Sequence, residues 1–569
     1  MRSVCGLLPV WILGLSLTVF PAAAQEVPVG GESPAEQAVT GGNEVEEPDH
    51  ARTYERKPLI PNDNLIFGEP EFLNIDMGLD AGFEEGFWIG PGLKLDYTGG
   101  PFTVTADLVF KNDQKYAPAA VMLPSGQLGG FYFLLNEGGV TYSKDFFYLR
   151  GGRFKNYDEV DSPYSLFLNS AGISANTLKL RLESNHFIYQ TQWIELNRDS
   201  GVSSPAWNEY RRRSDHATPS SGYNPADPAT QSDTANLSGY GFPDRGVNYK
   251  VYGLKIKDWR IGFLDAAVYT GRSFDPEYFL NPIPQYFIQY FKATPGRPWA
   301  TESNENNLMG LFWDIDKESW NAYAQVLVDD FSLGFLRFLY DGFSRNPWKA
   351  AWALGGRINT SLGRFGFHHG GALKYTFEPI GVNESGKYAY DPGATAYGYT
   401  YYPETRYFNG DETVNLLIQD NMVGYKHGEN NLAFQVDYQN RFFGFLVTTE
   451  LELVLAGNNS PANPWHDYNE RSSMYDDGRY DSQLFNDGQI ETTLEFRVNV
   501  SRQFGPLSAY AAMALGGRFN KLELVPSDPD PYGSGNRTVD NDIWIWKASN
   551  SHELIFRFSV GFRYTLPVL

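Results

Sequence analysis

The sequence predicts an all-β protein, a transmembrane antiparallel β-barrel of about 18 strands with short periplasmic turns and long extracellular loops. Three observations predict this fold. Many segments alternate apolar and polar residues with a period of two, which places the two kinds of side chain on opposite faces of a strand. The connections between these segments are alternately short and long. The amino terminus has the layout of an export signal.

Residues 1–24 are predicted to be a cleaved secretory signal peptide. Arg2 precedes the apolar run Val10–Phe20, and three alanines end at Ala24. The only cysteine of the chain, Cys5, lies inside this segment. The exported chain is therefore expected to contain no disulfide.

The next segment, 25–71, is rich in Glu, Pro and Gly and has few large apolar residues, which predicts an acidic, disordered periplasmic leader. Residues 72–569 are then the barrel. The net charge of −22 disfavours nucleic acid as a partner. After the signal no run of about 18 apolar residues occurs, so we expect strands rather than helices to cross the membrane.

The clearest hairpin is 306–330. In its first arm Met309 and Leu311 share one face, while Asp314 lies on the other. In its second arm Val326 faces the apolar side and Gln325 the polar side. We therefore expect an arginine at Val326, which would face hydrocarbon, to be costly, and an arginine at Gln325 to be milder.

Seventeen strong runs follow residue 86, and a first strand at 72–80 makes the number even. An even number returns both termini to the periplasm and closes the sheet without an edge. Sixteen strands are the alternative if two of the weaker runs belong to loops. The predicted strands are 72–80, 86–97, 101–111, 130–143, 145–156, 176–184, 187–197, 247–257, 259–270, the two arms of 306–330, 350–362, 364–378, 428–440, 442–456, 489–504, 506–520 and 551–566.

Short and long connections alternate along this series. A soluble β-sandwich has no reason to separate its loops in this way, whereas an outer-membrane barrel does. The tight turns are predicted near Lys144, Asn185, Asp258, Lys317, Gly363, Arg441 and Gly505. The long insertions are 112–129, 157–175, 198–246, 271–306, 379–427, 457–488 and 521–550.

Three short blocks resemble the Wzi-like family of outer-membrane capsule-assembly barrels. They are Phe279–Pro282, the hairpin residues Asn307–Leu311 with Tyr323–Asp330, and the glycine-rich Gly424–Leu432. The resemblance implies binding of exopolysaccharide at the cell surface. The long insertion 198–246 and the acidic leader depart from the family pattern. No periplasmic helical bundle is expected, because the leader shows no amphipathic period.

No pattern typical of a catalytic nucleophile, a phosphate loop or a zinc site occurs, so we expect neither enzymatic activity nor a cofactor or metal. The adjacent His368 and His369 should point to opposite faces of a strand. The acidic clusters Asp314–Asp316 and Ser527–Gly533 lack the full spacing of a calcium loop and are interpreted as solvated turns.

Charged residues recur on the inward face of the last strands. Paired carboxylates about 5–9 Å apart can hydrolyse glycosides, but the favoured interpretation is structural, a ladder of cross-strand pairs in a polar lumen. The ladder consists of Glu450, Glu452, Glu491, Glu495, Arg497, Glu553, Arg557 and Arg563.

The long insertions carry aromatic residues that would suit stacking on sugar rings. They suit loop packing equally well. These candidate ligand-binding residues are Trp207, Tyr210, Tyr286, Tyr290, Trp299, Tyr399, Tyr401 and Trp465.

The sequence therefore favours a non-enzymatic barrel of the bacterial outer membrane that binds or organises surface polysaccharide. Its expected partners are outer-membrane lipid and that polysaccharide. A general or substrate-selective diffusion porin is the alternative, and a barrel-embedded hydrolase is a third. Binder and porin differ in whether the long loops fold inward and fill the lumen.

Overall fold

The computed structural model describes most of the chain after residue 71. The predicted signal peptide and leader, 1–24 and 25–71, lie outside the described residues, as does most of the insertions 198–246 and 457–488. The described residues are 72–84, 86–112, 131–169, 173–198, 244–293, 305–329, 349–374, 376–377, 398–401, 406–409, 412–415, 418–458, 484–485, 489–526 and 544–568.

The described chain is almost entirely β-structure. Its strands are β1 (Phe72–Glu84), β2 (Gly86–Gly99), β3 (Phe102–Lys111), β4 (Tyr132–Lys144), β5 (Phe147–Phe154), β6 (Ala175–Glu183), β7 (Phe187–Asn197), β8 (Arg245–Ile256), β9 (Trp259–Thr270), β10 (Glu305–Asp316), β11 (Trp320–Asp329), β12 (Ala350–Thr360), β13 (Gly363–Ala372), β14 (Arg406–Asn409), β15 (Glu412–Asn415), β16 (Asn431–Phe442), β17 (Phe445–Ala456), β18 (Glu491–Phe504), β19 (Leu507–Phe519), β20 (Leu522–Pro526), β21 (Trp544–Ala548) and β22 (His552–Pro567). The helices are α1 (Pro276–Leu280), α2 (Gln285–Ala293) and α3 (Ile418–Asn421).

Eighteen of these strands form one antiparallel sheet. Each pairs with its neighbours in chain order, and β22 pairs with both β19 and β1, which closes the barrel. The remaining four strands form two small hairpins, β14–β15 and β20–β21, within long loops. The predicted fold class and the number of eighteen strands are therefore confirmed.

Tight turns join the strands on one side of the barrel. The β16–β17 turn has φ values of 53° at Phe443 and 81° at Gly444, and two positive φ values are the geometry of a type I′ hairpin turn. The connections on the opposite side are long, with one exception. A single residue separates β1 from β2 there. An eighth long connection, 330–349, joins β11 to β12 and was not among the predicted insertions.

The strand predicted over 364–378 is shorter in the structure. It ends at Ala372, because the chain turns away from the sheet and the Thr376 hydroxyl donates to the carbonyl of Leu373 (2.7 Å). Phe377 then becomes fully buried in the core inside the barrel. Packing against that core therefore ends the strand.

The outer face of the barrel is apolar. Along β22, Phe556, Phe558 and Phe562 are exposed, while Arg557 and Arg563 alternate with them and lie on the inner face. A closed sheet leaves no unpaired backbone edge in hydrocarbon, and an apolar outer band matches the lipid. The chain is a barrel of the bacterial outer membrane. None of the helices in the described part of the chain is long and apolar enough to cross a membrane.

Two stretches of loop enter the lumen, and a third lies outside. The luminal segment (155–169 with 173–174) follows β5, and the return segment (398–401 with 418–430) precedes β16. Together with the inner wall from β6 to β17 they form a hydrophobic core inside the barrel. The outer hairpin (276–293) consists of α1, α2 and their connection and packs against β7, β9 and β10.

Candidate functional site

The luminal segment is organised around one carboxylate, Asp158. Its Oδ2 accepts hydrogen bonds from the backbone N–H of Phe167 (2.9 Å) and from the Gln325 amide (2.9 Å). Its Oδ1 accepts from the Tyr249 hydroxyl (2.9 Å). Burial raises the pKa of Asp158 above its usual value, although the hydrogen bonds from Gln325 and Phe167 oppose the shift. This side chain ties the segment to β8 and β11.

Glu159, the next residue of the luminal segment, is bound to one arginine on β6 and another on β9. Its carboxylate lies 2.5 Å from the Arg181 guanidinium and 3.4 Å from that of Arg260. Burial alone would raise the pKa of Glu159, but the two arginines outweigh it and hold that pKa at about 2. Arg260 also pairs with Asp314, which lies on β10 and is buried. The interpretation of Asp314 as part of a solvated turn is therefore wrong, because its carboxylate is paired within the wall.

A chain of four polar side chains links the luminal segment to β11, β13 and β16. The Ser162 hydroxyl donates to the Tyr323 hydroxyl (2.7 Å), which lies 2.7 Å from His368 Nδ1. His368 Nε2 is 2.7 Å from Asp437 Oδ2. The order of residue types is that of a proton relay, but all four are buried. The arrangement therefore positions the segment and offers no surface to a substrate.

His368 and His369 point to opposite faces, as the sequence predicts. His368 makes the inner contacts just described, whereas His369 accepts a hydrogen bond from the Trp352 indole (3.0 Å). Phe365 and Phe367 of the same strand share the side of His369 and are exposed to the outside. Among the described residues no group of three or more His, Cys, Asp or Glu could hold a metal ion.

The return segment forms a second layer over the luminal segment. The Tyr399 hydroxyl donates to the carbonyl of Phe167 (2.7 Å), and the N–H of Asn169 donates to the carbonyl of Val423 (2.6 Å). A Cβ at Gly424 would lie 2.2 Å from the carbonyl oxygen of Leu166, so only glycine allows this approach. The glycine-rich block noted in the sequence therefore has a packing role.

Glu452 joins both segments to the predicted charge ladder. It accepts hydrogen bonds from the Tyr164 hydroxyl (3.1 Å) and from Lys426 (2.7 Å), and it pairs with Arg497. Arg497 also pairs with Glu450 (2.7 Å) and with Glu495 (2.7 Å). Tyr164 of the luminal segment and Lys426 of the return segment are thus bonded to a network of paired charges on the inner wall.

The rest of the ladder lies on β18 and β22. Arg557 pairs with Glu495, and Arg518 bridges Glu491 (3.7 Å) and Glu553 (3.6 Å). Among the described residues Arg563 makes no ion pair. Arg518 on β19 thus connects its two neighbouring strands, β18 and β22, through ion pairs.

The aromatic residues proposed to bind sugars fall into three groups. Tyr399 and Tyr401 are buried in the return segment, where they pack the loop. Tyr286 and Tyr290 are exposed on α2, outside the barrel. The other four lie outside the described residues: Trp207, Tyr210, Trp299 and Trp465.

Gln325 also differs from its expected environment. The sequence places it on the polar face and predicts that an arginine there is mild. The structure buries its side chain, which accepts from the N–H of Leu166 (2.9 Å) and donates to Asp158. An arginine would break both contacts and lacks room, so this expectation is revised.

No protein-family model and no curated protein matches the chain. The chain is similar in fold to solved outer-membrane barrels. One is Wzi of Escherichia coli, an outer-membrane protein involved in group 1 capsule assembly and described as a carbohydrate-binding β-barrel, with 9% identity, a TM-score of 0.45 and coverage of 86% of this chain and 83% of that chain. Another is OprD of Pseudomonas aeruginosa, with 9% identity, a TM-score of 0.38 and coverage of 88% and 94%. A third is OccK8 (OprE) of Pseudomonas aeruginosa, with 10% identity, a TM-score of 0.38 and coverage of 89% and 100%. At these levels the likeness carries no argument about function.

Proposed function

We propose that the chain is a non-enzymatic outer-membrane barrel that binds or organises surface polysaccharide at its extracellular end. One observation carries the proposal: loops fill the lumen along the wall from β6 to β17. A general diffusion porin needs a wide aqueous lumen. A barrel with fixed inner loops instead offers a rigid base for the extracellular loops that would hold a polymer. The wall side chains that fix the luminal segment are Arg181, Tyr249, Arg260, Gln325, Tyr323, Arg357 and Glu452.

The loop aromatics Trp207, Tyr210, Trp299 and Trp465 are the proposed sugar-contacting residues. Indole and phenol rings bury large apolar area against the faces of sugar rings while keeping a polar group for hydrogen bonds. Tyr399 and Tyr401 are buried and hold the return segment in place, so we assign them no contact with the polymer.

The buried side chains argue against catalysis in the described part of the barrel. Ser162, Tyr323, His368 and Asp437 would form the nearest approach to a nucleophilic relay, but a substrate would have to displace the luminal segment to reach them. The carboxylates Glu450 and Glu452 are both paired with Arg497, and Glu452 also pairs with Lys426, so both are engaged in contacts of the wall and the return segment.

A substrate-selective channel is the second candidate, and one observation favours it. Inner side chains far from the luminal segment keep contact with solvent: 28% of the Asp96 side chain and 38% of the Arg557 side chain are exposed. By contrast, Gln325 on the filled side is 1% exposed. A narrow charged path along β1–β3 and β22 would suit a small polar solute.

Conductance and polysaccharide binding, measured on the same reconstituted protein, separate the two candidates. The binder should retain surface polysaccharide from its source cells and pass little current in planar bilayers. The variant Gln325→Ala, which removes a contact of the luminal segment, should raise the conductance. The control Val326→Ala, a change on the outer face of the same strand, should not. Free conductance of the unchanged protein with no polysaccharide retention would establish the channel instead.

Two pairs of substitutions test which residues carry the binding. Replacing Trp207 and Trp465 by alanine should reduce polysaccharide retention several-fold and leave a folded, heat-modifiable barrel. Replacing Glu450 and Glu491 by glutamine should change retention little. If the carboxylates proved essential and the tryptophans silent, a barrel-embedded hydrolase would replace the binder.

A further inference from the structure

The outer face of the wall formed by β7–β10 is polar towards its loop side. On β8, Leu254 and Ile256 are exposed near the turn, as a lipid-facing strand requires. The positions on the same face nearer the loops are Asn248 and Lys250, and both are buried. Lys250 lies directly opposite Asp265 of β9.

The outer face of β17 is apolar almost throughout. Its outward positions are Phe445, Val447, Thr449, Leu451, Leu453 and Leu455, of which Thr449 alone is polar. Because the hydrocarbon layer surrounds the barrel on all sides, the upper part of β7–β10 would place a lysine and a carboxylate in lipid. An uncompensated charge there is costly. Something must therefore cover this polar patch.

The outer hairpin covers it, and its helix ends match the two charges. The Lys250 ammonium donates to the carbonyl oxygens of Asn281 and Ile283, which follow α1. The Asp265 carboxylate accepts a hydrogen bond from the N–H of Gln285 at the start of α2. A cation near free carbonyl groups and an anion at a helix N-terminus are both stabilised.

Side chains around the two charges complete the contact. The Asn248 amide donates to the carbonyl of Tyr278 (3.1 Å), and the Thr191 hydroxyl donates to that of Phe279 (2.9 Å). These strand residues lie on the opposite face from Tyr249, which contacts Asp158 in the lumen. The hairpin is therefore docked on the outside of the wall while the luminal segment covers the inside.

The free face of α2 is made of four aromatic side chains. Tyr286, Phe287, Tyr290 and Phe291 recur at helical spacing and are 46%, 51%, 64% and 54% exposed. Ile288 lies on the opposite face and is 2% exposed. No charged residue shares the aromatic face. Such a face is unfavourable in water.

We propose that α2 lies in the outer leaflet of the membrane, with its aromatic face in contact with lipid, so that the outer hairpin restores the apolar belt over β7–β10. Leu254, Ile261 and Leu311 are exposed on the outer face of the strands against which the hairpin packs or which it covers. Aromatic side chains are also those favoured at the membrane interface. The occupant of this face is therefore lipid rather than a second protein.

Site-directed spin labelling tests the position of α2. In a Cys5→Ser chain reconstituted in vesicles, a nitroxide at Phe287→Cys should collide with oxygen in preference to a water-soluble nickel reagent. It should resemble the lipid-facing reference Leu254→Cys. The turn residue Glu318→Cys provides the water-exposed reference. A label at position 287 that behaves like the one at 318 would overturn the proposal. Spin–spin broadening that disappears on dilution with unlabelled protein would also overturn it, in favour of a second copy of the chain.

Charged substitutions provide a second readout. Replacing Phe287 and Phe291 by aspartate should lower the urea midpoint of the protein in vesicles, because two carboxylates would enter the leaflet. Glu318→Gln, a change at an exposed residue of the β10–β11 turn, is the control and should leave the midpoint unchanged. An unchanged midpoint for the double variant would place the aromatic face in water and contradict the proposal.

Discussion

Replacing Asp158 by asparagine removes the acceptor around which the luminal segment turns. Asp158 Oδ1 accepts hydrogen bonds from the Tyr249 hydroxyl and the Glu159 N–H, and Oδ2 accepts from Phe167, Leu168 and Gln325. In asparagine one of these oxygens becomes an amino group. If the amide nitrogen takes the place of Oδ2, Phe167, Leu168 and Gln325 lose their acceptor. If it takes the place of Oδ1, the Glu159 N–H loses its acceptor, while the Tyr249 hydroxyl can turn and accept from the amide. Each unsatisfied buried donor costs about 1–3 kcal/mol, so the segment loses at least about 1 kcal/mol of docking free energy.

Amide hydrogen exchange measures this loss. Since 1.4 kcal/mol corresponds to a factor of about ten, the amides of 158–169 should exchange at least about fivefold faster in the Asp158→Asn protein. The barrel strands should exchange as before, because their hydrogen-bond ladder does not include the segment. Asp96→Asn, on the less covered inner wall, should leave the exchange of 158–169 unchanged. Equal exchange in all three proteins would refute the role assigned to Asp158.

Three further predictions concern the membrane, pH and topology. Val326→Arg should lower the free energy of unfolding in vesicles by about 2–4 kcal/mol if the site lies near the midplane, because the charge would face lipid. The control Val326→Ile should not lower it. Equal urea midpoints for the two variants would mean that the strand faces are assigned wrongly. Because the pKa of Glu159 is about 2, below its ordinary value of 4.5, its ion pairs stabilise the segment above about pH 4.5 and are lost as the pH falls towards 2. Bilayer conductance should therefore rise in that window, and Glu159→Gln should show the higher conductance already at pH 7; a flat profile would contradict this. A cysteine in loop 198–246 should be labelled on intact cells and Lys317→Cys should not; the reverse result would invert the barrel.

The strands of the barrel could be predicted because each has lipid on one side. Lipid demands an unbroken series of apolar side chains at every second position, so Phe556, Phe558 and Phe562 alternate with Arg557 and Arg563 in the sequence itself. The inward charges could be recognised in the same way. Their pairing could not, because it depends on register. Glu452, for example, lies opposite Glu495. This like-charged pair is acceptable because Arg497 bridges the two carboxylates, while Lys426 pairs with Glu452 and Arg557 with Glu495.

The filling of the lumen could not be predicted, because its contacts are non-local. Residues 155–169 have no period, and the partner of Leu166 is Gln325, 159 residues away. In the sequence Gln325 is an ordinary inward polar residue, and only the packed loop makes it sensitive. The outer hairpin, by contrast, has a local signal in the sequence. Asp275 before Pro276 is a typical helix start, and the Asp275 carboxylate accepts a hydrogen bond from the N–H of Glu277 (2.9 Å).

The distances in sequence between the luminal segment and its partners have a consequence for the order of folding. Tyr164 contacts Glu452, which lies 288 residues later in the chain. The contact between Ser162 and Tyr323 joins residues that are 161 positions apart. The contact between Glu159 and Arg181 of β6 joins residues only 22 positions apart. The side chains that meet first are therefore those on β6, and those on β17 meet last. Contacts that close long loops form slowly. Refolding should thus show the contacts of the luminal segment with β6 before its contacts with β17.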